Sequence, residues 1–141
     1  MSTDCIFCAI VDGEIPGTIV YEDDDVLAFL DANPLARGHT LVIPKAHHET
    51  LGDLPGDTAG AIGRVASELA PAIESAVDAD GTTVAFNNGE AAGQEVPHVH
   101  CHVVPRHDGD GYGPIHALFG AGADLDDEAI ESTAEAIRDA Q

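Results

Sequence analysis

Basic side chains are almost missing from this chain. Its 141 residues hold 5 lysines and arginines against 26 aspartates and glutamates, a formal net charge of −21 at pH 7. Lys45 is the one lysine. Such a chain has no basic surface with which to displace counterions from a phosphate backbone, which argues against a nucleic-acid partner. Long apolar runs are also missing. None reaches the roughly 18 residues that a membrane-spanning helix needs, so no membrane association is expected. Met1-Ser2-Thr3-Asp4 has no basic leader region, so no signal peptide is expected and the cytoplasm is the expected compartment. Three cysteines are too few for a disulfide framework. Cys5 and Cys8, spaced Cys-x-x-Cys, point instead to metal or redox chemistry in a reducing environment.

What is abundant is acid. At ordinary ionic strength this charge opposes compaction. At ~1 M salt the Debye length falls to ~3 Å and the repulsion is largely screened. The expected source is therefore a halophile, in preference to an acidic protein of ordinary salt. Hydrophobic residues at 44% suit a globular chain, read as a single domain over residues 1–141 with a partly helical extension from about 108. Arg37, Lys45 and Arg106, three of the few cations, fall in or beside histidine-bearing segments. Against the reading of chance surface placement, that position suits an anionic ligand.

The most informative segment is His98-Val99-His100-Cys101-His102-Val103-Val104. Alternating imidazoles and apolar residues predict one extended strand, with all three histidines on one face and Val99, Cys101 and Val103 on the other. Cys101 is then a buried apolar residue. Residues 18–22 and 26–30 predict a hairpin around Asp23-Asp24-Asp25, residues 39–44 a third strand that Pro44 ends, and residues 82–87 a fourth. Apolar spacing predicts a helix over 57–77, kinked or shortened by Pro71, and Asp124 is the expected cap of a helix over 125–139. The fold class is α+β: an antiparallel five-stranded sheet with one long helix and a C-terminal helix. Gly89 and Gly93 flank a loop before the histidine row whose backbone amides suit a phosphate, against an ordinary hairpin loop.

The histidine row resembles the signature of the histidine triad family. The upstream Asn87, Gly93-Gln94, the stretch Asp31 to Lys45 and the N-terminal Cys5-Ile6-Phe7-Cys8 are similar to its Hint-like branch. The resemblance implies a nucleotide-binding hydrolase or transferase, usually a homodimer, that cleaves at an α-phosphate and takes a purine nucleotide or nucleotide conjugate. By that resemblance His100 is the nucleophile that becomes nucleotidylated. One of its ring nitrogens would be held by a main-chain carbonyl, expected to be that of His98. His102 would bond a phosphate oxygen or pass a proton to the leaving group, and His39 would be a further phosphate-side histidine.

The same resemblance gives Asp31 to the ribose, in preference to a plain turn residue. It gives Asn87, Gly93, Gln94 and Glu95 to the phosphate, and Ile6, Phe7, Ile10 and Phe29 to the base. Ile15 reads as core, and Ala32 replaces a larger residue. Glu95 stands where many Hint-like proteins have serine, which puts the leaving group in question. Cys5, Cys8, His47 and His98 are implied as ligands of a structural zinc, with His48 a competitor of His47. His107 and His116 read as surface or interface residues. Two alternatives stand beside the enzyme: a nonenzymatic nucleotide- or partner-binding module with a structural zinc, and a catalytic metal held by all three histidines. The second would leave the Cys5 and Cys8 site without its fourth ligand.

Overall fold

The acidic tripeptide makes the first turn of the sheet. One carboxylate oxygen of Asp23 accepts from the backbone amides of Asp25 and Val26, both at 2.8 Å, and the other accepts from the Tyr21 hydroxyl at 2.7 Å. Those bonds hold the Asp23 carboxyl down at about 2. The turn joins β1 (Ile19–Glu22) to β2 (Val26–Leu30) as an antiparallel hairpin. The computed structural model describes residues 4–141. It continues with β3 (Thr40–Pro44), β4 (Gly81–Phe86) and β5 (Cys101–Arg106), antiparallel throughout, in the order β1-β2-β3-β5-β4. Three helices accompany the sheet: α1 (Ile6–Val11), α2 (Gly56–Val77) and α3 (Asp127–Ala140). The architecture is the α+β, five-stranded antiparallel one that the strand pattern predicts.

Both faces of the sheet centre are covered, and strand alternation decides which residue meets which cover. Val26, Ala28, Val42, Cys101 and Val103 pack with Ile62, Val65, Ala66 and Ile73 of α2. Leu27, Phe29, Leu41 and Ile43 pack with Cys5, Phe7 and Cys8 at and beside α1. Cys101 thus lies in the α2-side core, where burial pushes its thiol up to about 11. The even-numbered imidazoles are left for the α1 side.

Three boundaries differ from the sequence expectation. The strand carrying the row begins only at Cys101. His98 to His100 precede it, and the Val99 amide donates to the His48 carbonyl at 2.8 Å, beyond the end of β3. Pro71 does not shorten α2, which runs through it as one 22-residue element. A lost bond and ring clash cost about 3 kcal/mol. Burying Ile62, Val65 and Ile73 at roughly 1.5–3 kcal/mol each more than offsets that. The C-terminal helix is capped by Asp126, not Asp124: its side chain accepts from the Ala129 amide at 2.8 Å. Helix α1 has no counterpart in the sequence reading.

The chain divides into two compact units, one running to Asp110 and one from Gly111 to Gln141. The first contains the whole sheet with α1 and α2. The second holds a 3-10 turn, Ile115–Leu118, and α3, with no buried residue of its own.

Candidate active site and thiol–imidazole cluster

Two groups of side chains meet along the α1 side of the sheet. In the first, the Cys5 Sγ lies 3.3 Å from His98 Nδ1, and the Cys8 Sγ lies 3.3 Å from His47 Nδ1 and 3.5 Å from His98 Nδ1. All four ligand atoms fall within 4.8 Å of one another. A tetrahedral zinc with S and N ligands at about 2.3 and 2.0–2.1 Å sets S···N edges of about 3.5 Å, so the cluster has the dimensions of such a site. The ring of His98 is also correctly poised. Its Nε2 donates to the Pro44 carbonyl at 2.8 Å, which leaves Nδ1 as a lone pair aimed at the two sulfurs. Burial and the neighbouring Cys5 push the Cys8 thiol up to about 11, and burial pushes His98 down to about 4. His48 is not part of this group.

Helix α1 starts at this cluster. Cys5 caps it with sulfur, accepting from the Cys8 amide at 3.3 Å. The residues between and after the two cysteines then face the second group. Ile6, Phe7 and Ile10 line a cavity of about 800 Å³ together with Phe29, Asp31, His39, Asn87, Gly93, Glu95, His100 and His102. Phe7 stands edge-on to both His100 and Phe29, with ring centroids 5.1 and 5.4 Å away.

The hydrogen bonds fix the protons on these rings. The Nδ1–H of His100 donates to the His98 carbonyl at 2.8 Å, so in the neutral ring Nε2 is the nitrogen with the free lone pair. The Leu35 amide donates to His39 Nδ1 at 3.0 Å, so the neutral His39 ring carries its proton on Nε2. That Nε2–H donates to His102 Nδ1 at 3.0 Å, which leaves His102 with an Nε2–H to offer. Both rings are neutral near pH 7. Burial first, then the neighbouring imidazoles, push His102 down to about 4; burial lowers His39 against the opposing pull of Asp31.

The same chain of bonds decides a competing possibility. Asp31, His39 and His102 are close enough to hold a metal. A neutral His39 could bind one through Nε2 only if Nδ1 were protonated, and the Leu35 N–H already points there. Leu35, His39 and His102 therefore form a hydrogen-bonded relay, with Asp31 3.6 Å from His39 Nε2.

Eleven of the residues expected to meet nucleotide or to react line this one cavity. Gln94 does not. Its amide clasps the loop from behind, accepting from the Gly89 amide at 2.7 Å and donating to the carbonyls of Glu49 and Val96. Ala32 lines the cavity, whereas Ile15 lies outside it and is 37% exposed, not core. The cations expected near the anion are also elsewhere. Lys45 pairs with Glu22 at 2.7 Å, Arg106 with Asp110 at 2.7 Å, and Arg37 does not line the cavity. His107 and His116 are exposed. Sequence reasoning missed Leu35 and Pro44, whose contributions are a main-chain N–H and C=O that no residue type announces.

Fold and site together describe a protein built around a row of imidazoles, one with a free ring nitrogen facing a cavity. The family model that matches is the HIT domain, over residues 12–109. A HIT-like protein of Methanocaldococcus jannaschii is 48% identical over 107 residues, 76% of this chain and 82% of that one. The adenylylsulfatase HINT3 of Arabidopsis thaliana is 40% identical over 131 residues, 93% of this chain and 66% of that one. Among solved structures, a Streptococcus mutans protein superposes with a TM-score of 0.89 at 39% identity, covering 99% of this chain and 86% of that one. A zinc-bound histidine triad protein of Mycobacterium smegmatis does so with 0.76 at 38% identity, covering 100% of each. The chain belongs to the histidine triad family.

Long-range proton–nitrogen NMR is expected to find His100 protonated on Nδ1 and His39 and His102 on Nε2 at pH 7; a His100 ring protonated on Nε2 would contradict the assignment. Because His102 is neutral down to about 4 when folded but titrates at 6.5 when unfolded, the unfolded chain binds more protons in that window. Its contribution to stability is complete above pH 6.5 and declines as pH falls toward 4.

Proposed function

We propose that this protein is a nucleotide-binding hydrolase or transferase of the Hint-like branch. It would cleave at the α-phosphate of a nucleoside phosphoramidate, an adenylylated amine or a dinucleoside polyphosphate, through a nucleotidyl-histidine intermediate. The observation that carries this reading is the free Nε2 of His100, held toward the cavity by the His98 carbonyl. A neutral imidazole is nucleophilic near pH 7 and also a good leaving group. The name of the plant relative, an adenylylsulfatase, supports chemistry at an adenylyl phosphorus.

In this mechanism His100 Nε2 bonds to phosphorus as the bond to the leaving group breaks. The electron pair departs with the leaving group, which takes a proton from water at the open mouth. Water then adds to phosphorus, its proton neutralising the hydroxide left by the first step, the P–Nε2 bond breaks with its electron pair returning to Nε2, and His100 regains its starting tautomer. His102 offers its Nε2–H to a non-bridging oxygen, with His39 keeping it in that tautomer; neither neutral ring has a spare proton to give away. Asn87 and the amides near Gly93 add further donors. Asp31 holds the ribose hydroxyls, and Ile6, Phe7, Ile10 and Phe29 hold the base.

Cys5, Cys8, His47 and His98 would hold a structural zinc, a reading supported by the cluster dimensions and by the zinc-bound relative. When bound, it supplies the cationic charge that two buried thiolates require. A homodimer is proposed because Leu118, Phe119, Ile130 and Ile137 are each more than half exposed and need cover. Adaptation to molar salt rests on the charge of −21.

Quenching a reaction with an adenylylated amine is expected to give one adenylyl group on His100. His100→Ala should abolish it and reduce kcat by about 10⁴-fold or more while circular dichroism stays native; nucleotide binding with no adduct and no turnover would instead indicate a binding module. Cys8→Ser is expected to lower bound zinc from one per chain to none, lower Tm, and raise KM more than it lowers kcat, because α1 carries the base wall. Light scattering at molar salt should give twice the 14.5 kDa chain mass, and Tm should rise with salt.

A further inference from the structure

The cavity around His100 is lined by two carboxylates and by no lysine or arginine. Asp31 is engaged: it accepts from the Asn33 amide at 2.9 Å and lies 3.6 Å from His39 Nε2. Glu95 is not. It is exposed and has no hydrogen-bond or ion-pair partner among the described residues. No nearby cation balances it, since Lys45, Arg64, Arg106 and Arg138 all pair with other carboxylates and Arg37 lies outside the lining.

Sheet order then separates the two carboxylates. With strands in the order β2-β3-β5-β4, the β2–β3 loop that carries Asp31 lies on one flank of the imidazole row. Asn87, Gly93 and Glu95, on the loop between β4 and β5, lie on the other. The apolar wall of α1 and Phe29 belongs with the Asp31 flank, because β2 carries Phe29. The nucleoside is accommodated there by the reading above, on which this inference rests. The β4 flank is what remains for the group that leaves.

We infer that Glu95 selects a leaving group carrying a positive charge: the amine released from the phosphoramidate bears a second, distal ammonium, as in an adenylylated diamine. An anionic leaving group, whether a nucleoside polyphosphate or sulfate, would meet this uncompensated carboxylate in a cavity with no cation to offset it. A distal ammonium instead gains its partner. At an exposed position such a pair is worth up to a few-fold in affinity, more where the bound substrate excludes water.

The test uses the intact protein and three adenosine 5′-derivatives: one joined through its phosphate to one amine of 1,5-diaminopentane, one joined to pentylamine, and diadenosine tetraphosphate. The first two differ in the distal ammonium. Wild type is expected to favour the diamine adduct over the pentylamine adduct by about three- to tenfold in kcat/KM, with the tetraphosphate slowest. In Glu95→Gln the ratio of the first two is expected to fall to about one, and Glu95→Asp should keep part of it. Because the ratio is taken within one variant, a change in folding or in the shared adenylyl step cancels. Screening should lower the wild-type ratio as salt rises toward molar but leave the Glu95→Gln ratio flat. A wild-type ratio of one, or a ratio unchanged in Glu95→Gln, overturns the inference while adenylylation of His100 leaves the reaction itself standing. If neither amine adduct labels His100, the reaction is refuted and the inference with it.

Discussion

Everything in the site depends on how His98 is tied down. Its Nε2 is bonded to the Pro44 carbonyl, its Nδ1 faces the Cys5 and Cys8 sulfurs, and its own carbonyl takes the Nδ1–H of His100. One residue therefore ties together the end of β3, the thiol cluster and the Nδ1–H of His100. It is completely buried, so no water competes for these bonds. Helix α1 transmits the constraint: its N-cap and first turn hold the sulfurs, and Ile6, Phe7 and Ile10 form the hydrophobic wall of the cavity. Loss of the cluster and loss of the cavity wall are thus one structural event.

Electrostatics shape the rest. A chain with 26 acidic residues lines its cavity with imidazoles, amides and two carboxylates, and keeps its few cations out of the lining. Short-range hydrogen bonding to a phosphate can do without a cation, because fixed N–H dipoles need no reorganisation when charge develops on phosphorus. What such a cavity gives up is long-range attraction, which at molar salt reaches only ~3 Å in any case.

Much of this was legible in the residues. The alternation from His98 to Val104 assigns faces correctly, because a strand has a period of two whatever its hydrogen bonding, although the ladder begins only at Cys101. The hairpin at Asp23 and the long apolar stripe of α2 follow from spacing alone. Helix α1 escaped because it is six residues long and is held by sulfur contacts to distant histidines, not by its own propensity. Gln94 looked like a phosphate ligand because sequence adjacency to Gly93 hides which side of a loop a side chain takes. Lys45 looked available for an anion because its partner Glu22 lies on the edge strand β1, a tertiary neighbour invisible to local reading. The relay from Leu35 through His39 to His102 could not be read at all, since it starts at a peptide group.

That starting point has an evolutionary side. The proton positions on His98, His100 and His39 are dictated by the Pro44 carbonyl, the His98 carbonyl and the Leu35 amide; every amino acid supplies such a carbonyl, and every one but proline such an amide. Replacement of the side chains at positions 35 and 44 can proceed by drift without erasing the arrangement, so long as the chain path is kept. In lineages of this protein the surroundings of the row are free to change composition, even toward extreme acidity, while its reactivity is inherited through the trace of the backbone.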